Sequence, residues 1–133
     1  MLVGVGGNRS ADIVLHSVDF EQIVALQKAG DWAAAAACLS ESAQKLERIG
    51  ADVLLLATNT MHKVADEIQA AVQVPLLHLV DATAEAVKAQ GLATVGLLGT
   101  QFTMSDGFYS RRMQQQGVRT LVPSETQQAE IHR

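Results

Sequence analysis

The sequence predicts an α/β fold: a mostly parallel sheet of about four or five strands with helices on both faces, in three layers. Three observations predict it. Residues 51–71, ADVLLLATNTMHKVADEIQAA, pass from a short apolar run through a polar turn into residues at helical spacing. Units of this kind recur in the order β-α-α-β-α-β-α-β-α-β with short turns, and such crossovers imply parallel strands with right-handed connections. Aromatic residues make up only 4% of the 133 while alanine, valine and leucine abound, which suits helices packed closely on a sheet.

Taken in order, residues 1–10 form a Gly-rich lead-in with a turn at Gly6-Gly7-Asn8. Residues 11–18 (ADIVLHSV) read as a strand with Ile13, Val14 and Leu15 as its buried centre. A short helix over 20–29 is closed by Gly30. Asp31 is a candidate N-cap for a helix over 32–49, with Gly50 as its C-cap. The alanine run 33–37 has the highest helix propensity in the chain. Residues 52–57 (DVLLLA) read as a strand buried on both faces. Thr58-Asn59-Thr60 is the polar turn. Residues 61–71 are helical, with Val64, Ile68 and Val72 on one face.

Pro75 opens a short strand over 76–80. Asp81 is a candidate N-cap for a helix over 82–90 that Gly91 ends. Residues 94–98 (TVGLL) are another apolar strand, 99–103 its exit turn, and 104–116 a helix stopped by Gly117. A strand over 119–122 precedes Pro123, and Ser124 caps a last helix. The whole reads as a single domain over 1–133, flavodoxin-like in style, with neither linker nor low-complexity segment. One internal echo stands out: 52–60 and 94–103 are both apolar strands running into threonine-bearing turns.

In parallel sheets ligands sit at the carboxyl ends of strands, against helix N-termini. That rule selects Thr58, Asn59, Thr60 and His62, with Thr100 and Thr103 on the second turn and Ser17 after the first strand. Hydroxyls and an amide at such a rim suit a carboxylate or phosphate. The competing reading makes these threonines simple helix caps. His62, in the first helical turn, has the same two options: a cap or packing group, or an acid–base group facing the rim. His16, His62, His78 and His132 lack metal-ligand spacing, so no metal is expected. Cys38, in mid-helix, reads as a buried, inert thiol. Arg111 and Arg112 read as a solvated face. No GxxxxGK[ST] or strand-linked GxGxxG cradles a nucleotide.

The totals exclude other classes. A formal net charge of −4 argues against nucleic acid and anionic membranes as partners. The apolar runs are too short to span a bilayer. The start of the chain lacks the pattern of a signal peptide, and with one cysteine the cytoplasm is the expected location.

Several stretches together resemble the aspartate/glutamate racemase family, the cofactor-independent amino-acid racemases. They are Leu15-His16-Ser17-Val18-Asp19-Phe20, residues 57–66 (ATNTMHKVAD), Pro75-Leu76-Leu77-His78-Leu79 with Asp81-Ala82-Thr83, and Leu97-Leu98-Gly99-Thr100 with Thr103-Met104 and Phe108-Tyr109. The likeness runs from about Gly6 to the last residue. It implies a racemase lobe over about 11–92 and the start of a second lobe over about 93–133. It implies proton exchange at Cα between two thiols, without pyridoxal phosphate, metal or other cofactor. Thr58 stands where most members carry the first cysteine, so the resemblance makes it the catalytic position. Asn59 and Thr60 become substrate-carboxylate binders, joined by Thr100, Thr103 and Ser17.

The departures shape the expectation. The family's opening strand and Gly-rich turn are absent, as is the late Gly-Cys-Thr-Glu segment that carries the second thiol, and Cys38 matches neither catalytic position. The expected protein is therefore a racemase by descent that binds a small acidic amino acid or carboxylate and turns it over weakly or not at all. The alternatives are a non-catalytic binding or structural module, or an enzyme active only as an oligomer. Residues 94–99 are expected to take the vacant place beside 52–57. Failing that, open sheet edges are expected to pair between chains in a homodimer.

Overall fold

The computed structural model describes residues 10–131. The Gly6-Gly7-Asn8 turn and His132 lie outside the described residues. The order is α1 (Phe20–Ala29), α2 (Trp32–Arg48), β1 (Leu54–Leu55), a 3-10 turn (Thr60–Val64), α3 (Ala65–Ala70), β2 (Leu76–Leu77), α4 (Leu79–Ala89), β3 (Thr94–Gly96), α5 (Gln101–Ser105), α6 (Phe108–Gln115), β4 (Arg119–Leu121) and α7 (Glu125–Ile131). The α/β class and the parallel pairing stand. Leu54 and Leu55 pair with Leu76 and Leu77, and Thr94, Val95 and Gly96 pair with Arg119, Thr120 and Leu121, all in parallel.

The extent of the sheet differs from expectation. Four short strands form two separate pairs, β1–β2 and β3–β4. Residues 94–99 therefore do not fill a place beside β1; β3 takes β4 as its neighbour. Residues 11–18 are not a strand either. They have no regular structure and join no ladder, and Ile13 and Leu15 are 77% and 79% exposed. A strand exists only through its neighbour's hydrogen bonds, and no described strand runs beside this segment. For the same reason β1 shrinks to two residues and is buried on one face only: Leu54 is buried, Leu55 is 74% exposed.

The helices follow their local signals closely. Asp19 accepts a hydrogen bond from the Glu21 amide, and Gly30 closes α1 at φ 71°, a left-handed conformation that glycine adopts without penalty. Asp31 accepts from the Ala34 amide at 3.0 Å, as its N-cap role requires. Ala35, Ala36, Leu39 and Ala43 are the buried face of α2. Their small side chains let it approach Leu54, Met61, Val64, Ile68 and Val72, which complete the first core cluster. At the start of α7 the Gln127 side chain reaches back and accepts from the Ser124 amide at 3.0 Å and from its hydroxyl, the reciprocal half of a capping box.

Two helical expectations are corrected. The N-cap of α4 is His78, whose Nδ1 accepts from the Val80 amide at 3.2 Å, and Asp81 sits inside the first turn bound to Arg112. The helix expected over 104–116 is two helices, broken where Gly107 turns left-handed at φ 81°.

A second core cluster lies under β3 and β4: Val80, Ala84, Phe108, Tyr109, Met113 and Val118. Polar side chains tie the two clusters. Lys63 bonds Asp106 at 2.6 Å. Arg112 grips Asp81 with Nε and Nη2 at 2.8 and 2.7 Å and reaches Asp66 of α3 at 3.3 Å. Arg112 is thus no solvated face, contrary to its sequence reading, while Arg111 is. The outer edge of β2 is closed by one side chain. Gln69 donates to the Val74 carbonyl at 3.1 Å and accepts from the Leu76 amide at 2.7 Å.

Candidate functional site

The polypeptide leaves β1 and turns sharply: the Thr58 amide donates to the Leu56 carbonyl at 2.8 Å. Its own carbonyl is held by His62 Nδ1 at 2.6 Å, and the His62 amide returns to the Asn59 carbonyl at 3.1 Å. Thr58 and Asn59 are exposed and Thr60 is half-buried. Asn59 occupies the N-cap position of the 3-10 turn, yet no side chain caps it. Among the described residues, the side chains of Thr58, Asn59 and Thr60 make no hydrogen bond. The capping reading therefore fails for this turn, and its two hydroxyls and one amide are unpaired.

His62 is 4% exposed, and both of its nitrogens are in use. Nε2 accepts from the Leu79 amide at 3.2 Å, so the proton resides on Nδ1, which donates to Thr58. A single neutral imidazole thus braces the turn after β1 against the start of α4. Burial pushes its pKa down, against the upward pull of its bonds to the Thr58 and Asn59 backbone. His78 stands beside it, ring centroids 4.6 Å apart and 63° between planes. Burial, then the Arg112 charge, lowers His78 to about 4. His62 and His78 line one shallow pocket with Lys63, Asp66, Arg111 and Arg112.

The second turn is built differently. The Thr100 hydroxyl accepts from the Thr103 amide at 3.3 Å and lies 3.1 Å from the Thr103 hydroxyl. Thr100 is exposed but caps α5, and Thr103 is 4% exposed. Capping accounts for this pair, and a ligand would meet them only by opening their mutual bond. Gly99 permits the closure: a Cβ there would lie 3.2 Å from Thr103 Cβ and Cγ2. Gly99→Ala is expected to cost about 1 kcal/mol through this crowding, measured as a lower midpoint in urea. Unchanged stability would mean that Thr103 moves freely.

One ion pair ties the segments that follow the two turns. Lys63 follows Thr60 by three residues, Asp106 follows Thr103 by three, and the two are bonded. Ser17 is not brought in: it is exposed in the segment before α1, and no described contact joins it to either turn. Cys38 stays in mid-α2, partly covered. The ion pairs of Lys63 with Asp106 and of Arg112 with Asp81 escaped the sequence reading, which took Asp81 only as a helix cap and Arg112 as a solvated face. Their one signal was a surplus of charge just after the two threonine turns. Among the described residues no group of His, Cys, Asp and Glu could hold a metal ion, and no helix is long and apolar enough to cross a membrane.

Comparison with known proteins places this geometry. The sequence model of the family described as Asp/Glu/hydantoin racemase matches residues 5–133. The broad specificity amino-acid racemase RacX of Bacillus subtilis (strain 168) is 34% identical over 89 residues, 67% of this chain and 39% of RacX. A Yersinia pestis crystal structure, of a protein proposed to be an Asp/Glu racemase, is 48% identical with a TM-score of 0.91. That match covers 97% of this chain and 56% of the other. An aspartate racemase homologue from Pyrococcus horikoshii OT3 is 33% identical with a TM-score of 0.82, over 90% of this chain and 52% of that one. The chain thus spans about half the length of these solved relatives and less of RacX.

Proposed function

We propose that this chain, which belongs to the Asp/Glu/hydantoin racemase family, binds a small acidic amino acid or related carboxylate at Thr58, Asn59 and Thr60. The observation that carries the reading is the unpaired state of those three side chains on a backbone fixed by His62. Polar groups held in place without internal partners lose little on meeting a ligand's oxygens. Thr100 and Thr103 would contact the ligand from the second turn after giving up their mutual bond. Residues 11–92 and 93–133 are proposed as parts of two lobes within a single domain. A homodimer in the cytoplasm, with no nucleic-acid partner, fits the negative charge and the lone cysteine.

Turnover is proposed to be weak. Racemisation needs one group to take the Cα proton and another to return it, and each well-placed group is worth roughly 10²–10⁴-fold. Thr58 offers a hydroxyl, a far weaker acid–base group than a thiol near neutral pH. His62 has no free nitrogen in this arrangement. Binding without exchange of the Cα proton is therefore the expected signature. Titration with L- and D-aspartate, followed by amide NMR, should move residues 58–60 first. Asn59→Ala should weaken binding at least ~10-fold, about 1.4 kcal/mol, by removing its amide. Failure of aspartate and glutamate to bind would leave the module reading. Deuterium uptake at Cα that disappears in Thr58→Ala would instead make Thr58 catalytic.

A further inference from the structure

We infer that Lys63 is a positioning residue for the proposed carboxylate site. Its ammonium, bonded to Asp106 and laid over the Trp32 ring, sets the spacing of the two threonine turns. That spacing in turn sets how tightly a ligand between them is held. The inference rests on the reading that the ligand meets both turns, and it assigns their spacing to a side chain outside the binding groups themselves.

Three elements converge on one ammonium. Lys63 lies in the 3-10 turn that Thr60 begins. Its Nζ meets Asp106 Oδ2 at 2.6 Å and stands 4.1 Å from the centre of the Trp32 ring. Trp32 is the first residue of α2, where the Asp31 cap fixes the backbone. Thr100 caps α5 at one end and Asp106 caps it at the other, with Thr103 between them. A displacement of Asp106 therefore displaces the Thr100–Thr103 pair, and a displacement of Lys63 displaces Thr60. Lys63 and Asp106 are 43 residues apart in sequence, so their bond joins two turns that local structure does not join.

The surroundings favour a fixed bond. The two side chains are 27% and 20% exposed. Water and salt screen such a pair less than one on the open surface. The Trp32 face occupies another side of the ammonium and limits the rotamers of a long side chain. Arg111 also approaches Asp106, but at 4.0 Å and with its own side chain 69% exposed. The exposed pair Lys45–Glu41 is the contrast, because it joins two positions of a single helix.

A spacing role and a plain charge effect predict different signs. Lys63 attracts an anionic ligand and Asp106 repels it. With charge alone at work, losing Lys63 weakens carboxylate binding and losing Asp106 strengthens it. With the pair setting the spacing, both losses weaken binding, and losing both costs no more than losing one.

The test uses the whole chain, with L-aspartate as the probe in calorimetry and amide NMR. Lys63→Met and Asp106→Ala should each weaken aspartate binding about 5-fold or more. The double variant should match the single ones within about 2-fold. Lys63→Arg keeps the charge, the carboxylate bond and the ring contact, so it should retain most of the affinity. Lys45→Met, which removes the exposed pair, should leave affinity unchanged. In the free protein, Lys63→Met should shift the amides of 100–103, and Asp106→Ala those of 58–62. Opposite signs for the two single variants overturn the inference, as do additive losses or the absence of these cross-turn shifts. A wild type that binds neither aspartate nor glutamate sinks the carboxylate reading instead. The cross-turn shifts then decide the spacing role alone.

Discussion

His62→Ala is expected to destabilise the protein by about 3–5 kcal/mol, a large share of the stability of a domain this size. Three losses add. The Thr58 carbonyl and the Leu79 amide each lose a partner, at about 0.5–1.5 kcal/mol for a bond in partly covered surroundings. The volume of the ring, 4% exposed, is also vacated. His62→Phe separates these contributions. It fills the space but bonds neither backbone group, so it should recover only the cavity part and remain about 1–3 kcal/mol below wild type. Urea denaturation measures both. In the same variants the amides of 58–60 should exchange faster, because the turn has lost its brace. If His62→Ala stays within about 1 kcal/mol of wild type, the imidazole is a bystander.

The second large effect is acid sensitivity well above the usual carboxylate range. His78 titrates at about 4 in the folded chain and near 6.5 unfolded. Between those values the unfolded chain binds the extra proton and the folded chain does not. Stability therefore rises with pH across the window. It is fully present above about pH 6.5 and lost progressively as pH falls toward 4. His62 is shifted in the same direction by its burial, so it adds to the loss. On protonation its Nε2 would point a hydrogen at the Leu79 amide, donor against donor. For His78 the expected loss is on the order of 2 kcal/mol, after allowance for water reaching part of the ring. The urea midpoint should hold steady above pH 7 and fall between pH 6.5 and 4. His78→Asn keeps an N-cap acceptor but cannot titrate, so it should flatten the slope. An unaltered slope in that variant would remove His78 from the explanation.

How much of this was legible in the sequence depends on what each element needs. α1 and α2 announce themselves through Asp31, Gly30 and the alanine run, signals that act within one turn of the backbone. Glycines 30, 50, 91 and 117 mark helix ends as read, all at positive φ. The strands were placed correctly but drawn too long, and 11–18 was misread, because a ladder depends on a distant partner that composition does not reveal. Gly107 was overlooked as a breaker, since the apolar spacing continues on both sides of it. At the site, the exposed Thr58-Asn59-Thr60 turn was legible from strand, turn and helix order. The brace was not. That Nε2 of His62 meets the Leu79 amide, and that Arg112 meets Asp81, are facts of tertiary contact between segments 17 and 31 residues apart.

The closure of β2 by Gln69 has a consequence for how far such sheets can grow. A sheet with two bare sides hands each newcomer's far side to the next, and the result is a filament. Here the amide of one glutamine occupies one side, with its oxygen on Leu76 and its nitrogen on Val74. That side is closed to strand addition. Gln69 thus removes one of the two sides from which a sheet of this kind could be extended.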